Sequence, residues 1–155
     1  AVRICRRFGL SQRVLEVLEA TKENFLRGEM ILEEVDWRKS LTSTDLKMIT
    51  LARAFIYDPA VMVLNLPTSS LPLTLAVKIV GLMQEFVDRR GLEMPLSTTE
   101  AIAQRRPRTI FASFVRYEEL DGVDVVWALD HGKVHEISKE EVQARPALGR
   151  TSAVT

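Results

Sequence analysis

The chain has 155 residues, 46% of them hydrophobic, which suits one domain with a sizeable core. Its 21 basic and 21 acidic residues cancel, so no overall field favours nucleic acid or an anionic membrane surface as a partner. The single cysteine, Cys5, excludes an intrachain disulfide and a cysteine metal cluster, and it favours a reducing intracellular or intra-organellar compartment. No apolar run has the length of a transmembrane helix.

Helical periodicity dominates residues 1–40, which we interpret as a helical segment. Apolar side chains recur at helical spacing over residues 11–35. Ser11 is placed to cap this stretch at its amino end, and Gly28 is expected to divide it into two helices. The pattern therefore predicts a pair of amphipathic helices early in the chain.

A further helix is predicted between a capping box and a proline. Thr42 and Asp45 have the spacing at which each side chain bonds the backbone N–H of the other. The helix should stop before Asp58-Pro59, because proline disfavours helical backbone in the residue before it. Its buried stripe should consist of Leu46, Ile49, Leu51, Ala52, Ala54 and Phe55.

Strand and helix signals then alternate. The apolar run at residues 61–64 predicts a strand covered on both faces, by the helix at 45–57 and by a helix at 73–90. Gly91 is placed to cap the latter helix. Residues 92–107 are interpreted as an insertion, with a short helix opened by a capping box from Ser97 to Glu100. The basic run from Arg105 to Arg108 is interpreted as a solvated loop.

The last part of the chain predicts two more strand regions. Residues 109–114 form one, parallel to residues 61–64, and residues 123–129 form the other. The sequence Asp130-His131-Gly132 should turn residues 123–129 into a hairpin with residues 133–136. Ser138 and Glu141 open a final short helix, and residues 145–155 are expected to be a flexible tail. The fold class is therefore α/β, with helices layered on a mostly parallel sheet and a C-terminal β-hairpin.

Residues 41–71 read LTSTDLKMITLARAFIYDPAVMVLNLPTSSL, and their layout resembles the C-terminal half of an ABC-type ATPase, the nucleotide-binding domain of ABC transporters. A signature loop, a helix, an Asp-Pro turn, an apolar strand and a Pro-Thr-Ser loop follow one another in the family's order. The resemblance extends to about residue 136, with residues 1–40 similar in character to the family's helical subdomain. It implies a degenerate C-terminal half over residues 41–144, with a partial P-loop-NTPase-like fold.

The signature loop of the family, LSGGQ, corresponds to Leu41 followed by four altered residues. In the family this loop presents a hydroxyl and glycine amides to the γ-phosphate held by a partner domain. Two hydroxyl residues replace the glycines, and a carboxylate follows them. A weak nucleotide-binding loop and a simple helix cap both remain open for these four residues, which are Thr42, Ser43, Thr44 and Asp45.

The catalytic positions of the family are altered as well. The resemblance places the strand-end Asp-Glu pair, which holds Mg²⁺ and orients the attacking water, at Asn65 and Leu66. The switch histidine falls at Phe114 or Val115. No Walker A glycine loop is present, and Gly132-Lys133 lies in the predicted hairpin. We therefore expect no catalytic residues, no metal site and no hydrolysis by this chain.

Three function classes follow. The first is a catalytically inactive ABC-ATPase-like domain that serves as a structural or accessory subunit and needs no cofactor. The second is a fragment or degenerate half of a transporter ATPase, which would bind ATP and Mg²⁺ in trans with a competent partner domain. The third is an unrelated small α/β binding module. The expected partners are proteins of a larger assembly, not nucleic acid, with membrane association only through those partners. They should cover an apolar face near residues 61–66 and 109–114.

Overall fold

The chain divides between Tyr57 and Asp58 into two units. The predicted boundary after residue 40 lies within the first unit, and the division into residues 1–40, 41–144 and 145–155 stays a prediction. The structure is a computed structural model, which describes residues 1–28, 41–93, 98–144 and 151–154.

The first unit is built of helices around two phenylalanines. Helix α1 spans Val2–Arg7, α2 spans Gln12–Arg27 and α3 spans Ser43–Tyr57. The rings of Phe8 and Phe55 are both buried, with their centroids 5.0 Å apart. This tilted arrangement is a favourable one for aromatic pairs, and it joins the end of α1 to α3.

The predicted helix ends in this unit are confirmed. Helix α2 ends at Gly28, whose φ of 71° is unstrained in a residue without a Cβ. Helix α3 ends at Tyr57, directly before the Asp-Pro turn. Its buried stripe differs from the prediction, since Met48 is buried and Leu46 is 54% exposed. The helix predicted to continue over residues 29–35 lies outside the described residues.

The second unit contains all the described strands. Its elements in chain order are β1 Val61–Leu64, α4 Leu73–Asp88, α5 Thr99–Ala103, β2 Thr109–Phe114, a 3-10 helix Tyr117–Leu120, β3 Val125–Asp130, β4 Lys133–Ile137, α6 Lys139–Ala144 and β5 Thr151–Val154. The strands form one sheet in the order β1-β2-β5-β3-β4. Strands β1 and β2 are parallel, whereas the other three described pairings are antiparallel. The sheet is therefore mixed, and the prediction of a mostly parallel sheet is wrong.

Helix α4 connects the parallel strands and packs against the sheet. It buries an apolar stripe that includes Ile79, Met83 and Phe86. On β2 the alternate residues Ile110 and Phe114 are buried as well. One face of the sheet thus forms the core of this unit, with the burial of alternate residues that one-sided packing requires.

Strand β1 has the predicted bounds but not the predicted burial. Met62 is 5% exposed, whereas Val61 is 57% and Val63 is 77% exposed. The prediction that both faces are covered is therefore wrong. A continuous apolar run does not distinguish a strand buried on two sides from one whose outer face carries apolar side chains.

The predicted flexible tail contains a strand. Residues Thr151–Val154 form β5, which lies between β2 and β3 and pairs antiparallel with both. The prediction is thus wrong for these four residues, while residues 145–150 lie outside the described part. The segment lacks an apolar pattern, so side-chain periodicity does not predict a strand there. Its backbone pairs instead through main-chain hydrogen bonds with two neighbouring strands.

The carboxyl end of α4 is closed by an arginine and a glycine together. Arg90 adopts the left-handed conformation with φ of 53°, and the Gly91 N–H donates to the Phe86 carbonyl at 2.8 Å. The C-cap is Arg89 and not the predicted Gly91, which lies two residues further along the chain. Arg90 also donates to the carbonyls of Ala103 and Arg105. These hydrogen bonds hold the connection after α5 against this helix end.

Two further local predictions change. The short helix α5 has Thr98 as its N-cap, and the hydroxyl of Thr98 accepts from the Ala101 N–H. The predicted cap, Ser97, lies outside the described residues. Arg108 is not part of a solvated loop, since its side chain is 8% exposed and pairs with Asp58.

The alternation along β1 gives a matched test of the sheet. Met62→Asp places an unpaired carboxylate in the core and should lower the free energy of unfolding by several kcal/mol, on the order of 3 to 5. Val63→Asp, one residue away on the exposed face, should change it by no more than about 1 kcal/mol. Urea denaturation followed by circular dichroism measures both. Equal losses in the two variants would contradict the one-sided burial of β1.

Candidate functional site

The candidate site lies where the two parallel strands end. Strand β1 is followed by Asn65 and Leu66, and β2 ends at Phe114 before Val115. Leu64 pairs with Ala112 in the parallel register, so these strand ends lie at the same edge of the sheet. Ligands of α/β proteins bind at the carboxyl ends of parallel strands, so this edge is where a nucleotide-related function would be located.

Ser113 links the two strand ends. Its hydroxyl donates to Asn65 Oδ1 at 2.9 Å, and it accepts from the Leu66 N–H at 2.9 Å. Leu66 has φ of 48°, a left-handed conformation that is strained for a branched side chain. The hydrogen bond to Ser113 stabilises this turn. The Asn65 side chain, which the sequence resemblance aligns with a metal-binding aspartate, therefore has a partner within the protein.

Arg116 fixes the loop that follows β1. Its Nη2 donates to the Thr68 carbonyl at 3.0 Å and to the Leu71 carbonyl at 2.7 Å. Charge-assisted hydrogen bonds of this kind are stronger than neutral ones. The loop between β1 and α4 is thereby tied to the segment after β2, so both loops at the candidate site are held by side chains from one strand end.

A buried carboxylate completes this arrangement. The side chain of Glu119 is 0% exposed, its Oε2 accepts from the Arg116 N–H at 3.2 Å, and its Oε1 lies 3.8 Å from Arg116 Nε. The hydroxyl of Thr68 is buried too, and neither Thr68 Oγ1 nor Glu119 Oε1 has a hydrogen-bond partner. Sequence reasoning singled out none of these three residues or Ser113. The Arg-x-x-Glu spacing directly after a predicted strand is the signal that could have indicated the pair.

These contacts suit a structural role. A general base must come within hydrogen-bond reach of the proton it removes. Glu119 is only 1% exposed and faces Arg116. Phe114 is buried, Val115 is 59% exposed, and neither side chain can bond a phosphate. The carboxyl end of the parallel pair is held together by its own polar groups.

The signature-like loop of the first unit forms the predicted capping box. The Asp45 N–H donates to Thr42 Oγ1 at 3.0 Å, and the Thr42 N–H donates to Asp45 Oδ2 at 3.1 Å. The Thr42 hydroxyl also donates to Asp45 Oδ2 at 2.7 Å. Ser43 and Thr44 form the first turn of α3. The hydroxyl that the family offers to a phosphate is thus already bonded within the cap.

The charge of Asp45 reinforces this. The hydrogen bond from the Thr42 hydroxyl lowers the pKa of Asp45 below its ordinary value, with smaller contributions from the backbone of Thr42 and from Ser11. The carboxylate is therefore ionised at neutral pH and sits at the amino end of α3, where it complements the helix dipole. It would repel a phosphate at the same place.

Three further features bear on function: possible metal ligands, membrane-spanning helices and the Gly132-Lys133 pair. No group of three or more His, Cys, Asp or Glu side chains that could hold a metal ion occurs among residues 1–28, 41–93, 98–144 and 151–154. Within the same ranges, no helix is long and apolar enough to cross a membrane. Gly132 forms the hairpin turn with φ of 75°, and Lys133 begins β4.

Comparisons with protein-family models, with curated proteins and with solved structures found no match to this chain. The likeness to ABC-type ATPases therefore rests on the residues of the chain themselves.

The capping box gives a prediction that depends on pH. Thr42→Ala should lower the free energy of unfolding at neutral pH by about 1 kcal/mol, because it removes the cap hydroxyl. The folded-state pKa of Asp45 is depressed. The stability it contributes is present above the ordinary aspartate pKa and is lost as pH falls through the lower folded-state value. The difference from the parent should narrow below about pH 4.

The control for this test is Ser43→Ala, which changes the neighbouring exposed hydroxyl. It should alter stability by less than about 0.5 kcal/mol at either pH. Chemical denaturation at two pH values measures all three proteins. A Thr42→Ala effect that grows on acidification would contradict the role given to Asp45.

The buried ion pair gives a second prediction. Arg116→Ala leaves Glu119 buried without its counter-charge and should lower the free energy of unfolding by about 3 to 5 kcal/mol. The double variant Arg116→Met with Glu119→Leu should recover most of that loss, because it removes both charges. Thermal and urea denaturation provide the measurement.

An exposed arginine serves as the comparison. Arg89 is 63% exposed and lies 3.7 Å from Glu85, so Arg89→Ala should cost less than about 1 kcal/mol. If the double variant is no more stable than Arg116→Ala, the lost free energy of unfolding comes from the loop contacts of Arg116 and not from the unpaired carboxylate of Glu119.

Proposed function

We propose that this chain is a catalytically inactive ATPase-like domain that serves as an accessory subunit of a larger protein assembly. The observation that carries the proposal is the hydrogen bond from Ser113 to Asn65 at the end of β1. An aspartate there would hold Mg²⁺ in an active enzyme of the resembled family, and a glutamate would follow it. Here an amide and Leu66 occupy these positions, and the amide contributes to the structure of the loop.

The layout of the parallel pair supports the ATPase-like part of the proposal. Strand β1, helix α4 and strand β2 follow one another, with Asn65 and Leu66 after the first strand and Phe114 and Val115 at the end of the second. These are the relative places at which the resembled family carries its catalytic carboxylates and its switch histidine. The second unit thus has an order of elements compatible with that family, in a sheet that is otherwise antiparallel.

The alternative, ATP binding in trans through the signature-like loop, is less favoured by the geometry. Thr42 donates its hydroxyl to Asp45, and that carboxylate stands at the helix end that would have to receive a phosphate. A γ-phosphate and an ionised carboxylate cannot share this position without strong repulsion. In this proposal the loop therefore acts as a helix cap.

The expected outcome is that the purified chain neither hydrolyses nor binds ATP. Turnover of Mg-ATP should not exceed background, because phosphoryl transfer depends on positioning and on charges that the sequence lacks. The melting temperature should not change with millimolar Mg-ATP. A ligand that binds the folded chain would raise the free energy of unfolding by about 2.7 kcal/mol at about 100 times its Kd, so binding would be visible as a thermal shift. A coupled-enzyme assay and differential scanning calorimetry provide the measurements.

The control is the variant carrying Asn65→Asp and Leu66→Glu, which restores the family's residues at the end of β1. It should remain inactive, because the chain contains no glycine-rich phosphate loop. Mg-dependent turnover that copurifies with the parent chain would refute the proposal. A thermal shift with ATP that disappears in Thr42→Ala would favour the trans-acting alternative.

A further inference from the structure

The face of the sheet opposite α4 carries apolar side chains on two pairs of neighbouring strands. Val63 pairs with Phe111 across β1 and β2, and Leu129 pairs with Val134 across β3 and β4. Strand β5 pairs with both β2 and β3, and the two registers place Phe111 and Trp127 on the same side of the sheet. We call this surface the open face, and its apolar members are Val61, Val63, Phe111, Trp127, Leu129 and Val134.

Its exposure is unusual for apolar residues. Val63 is 77%, Leu129 is 59% and Val134 is 60% exposed. Between them the rings of Phe111 and Trp127 lie 6.0 Å apart and are half-buried. An aromatic pair flanked by exposed aliphatic side chains is typical of the centre of a protein interface.

The size of the open face selects its occupant. Five strands at about 4.8 Å spacing give a width of about 19 Å, and three to four residues along each strand give a height of about 13 Å. The projected area of about 250 Å² is well below the roughly 800 Å² of accessible surface that each partner of a stable dimer buries. It matches a single helix, which is about 10 Å across and covers about 16 Å in three turns.

The charge of the open face selects the chemistry of that helix. Glu136 pairs with Trp127 in the register of β3 and β4, and it is the one charged residue among the described positions of this face. It lies on the outer strand, at one side of the aromatic pair. A helix laid over the apolar centre would gain from a basic side chain next to its apolar stripe.

We propose that the open face docks an amphipathic helix of a partner protein, with an apolar stripe flanked by lysine or arginine. The inference rests on the proposed role as an accessory subunit and names the surface and the kind of partner that this role would use. The binding mode is that of a helix whose apolar residues at positions i, i+3, i+4 and i+7 contact an apolar surface.

The test uses the full chain and a fluorescently labelled model peptide of about 15 residues. The peptide places leucines at i, i+3, i+4 and i+7 and lysines beside them. Fluorescence anisotropy should show saturable binding, with a second peptide of the same composition in scrambled order binding at least about tenfold more weakly. Val63→Asp should weaken binding of the first peptide by at least about tenfold, because it places a charge in the apolar centre.

Two matched variants keep the test specific. Val77→Asp adds the same charge on α4, where Val77 is 45% exposed, and should leave binding unchanged. Glu136→Lys should weaken the lysine-flanked peptide and strengthen a glutamate-flanked version, each by about three- to tenfold. Circular dichroism and melting curves confirm that each variant is folded before binding is measured.

The outcomes that overturn the proposal are distinct. Equal binding by the parent and Val63→Asp, or no binding of the helical peptide, removes the open face as a docking surface. A dimer in light scattering that Val63→Asp converts to a monomer assigns the face to a second copy and also overturns the proposal. If the peptide does not bind and the chain does not hydrolyse ATP, the docking proposal fails and the proposal of a catalytically inactive domain stands. If the chain hydrolyses ATP and the peptide still binds, only the proposal of a catalytically inactive domain is refuted.

Discussion

The second unit depends on one ion pair at the amino ends of its parallel strands. Arg108 directly precedes β2, and its Nε and Nη2 contact the two carboxylate oxygens of Asp58 at 3.1 and 2.6 Å. Asp58 lies three residues before β1, and the guanidinium also lies over the ring of Phe86 on α4 at 6.0 Å. One side chain thus joins both strands and the helix that connects them. Parallel strands are far apart along the chain, so their alignment needs contacts of this kind.

The opposite end of the pair is held in a comparable way. Ser113 bonds Asn65 and Leu66, and Arg116 bonds the carbonyls of the next loop. The two strands are therefore fastened at both ends by polar side chains from the second strand and its flanking residues. This explains how a loop with a strained residue after β1 is stabilised.

A scaffold of this kind is consistent with a function based on binding surfaces. The core side of the sheet is filled by α4, whereas the other side carries Val63, Leu129 and the half-buried pair of Phe111 and Trp127. The polar groups at the strand ends and the apolar surface on the other face are independent features of the sheet. The proposed role as an accessory subunit draws on both.

The sequence by itself determined the local elements. The bounds of β1 and β2, the capping box of Thr42 and Asp45, and the hairpin of β3 and β4 follow from periodicity, caps and turn residues, which act within a few positions. Asn65 and Leu66 were also correctly placed after a strand. Only the tertiary structure decided the rest. The strand at Thr151–Val154 depends on partners far along the chain, and the exposed face of β1 depends on which face of the sheet α4 covers. The contact of Glu119 with Arg116 is local, but its burial is set by the surrounding fold. The Arg-x-x-Glu spacing can indicate the pair but not its burial, because strand pairing and burial are set by the assembled sheet.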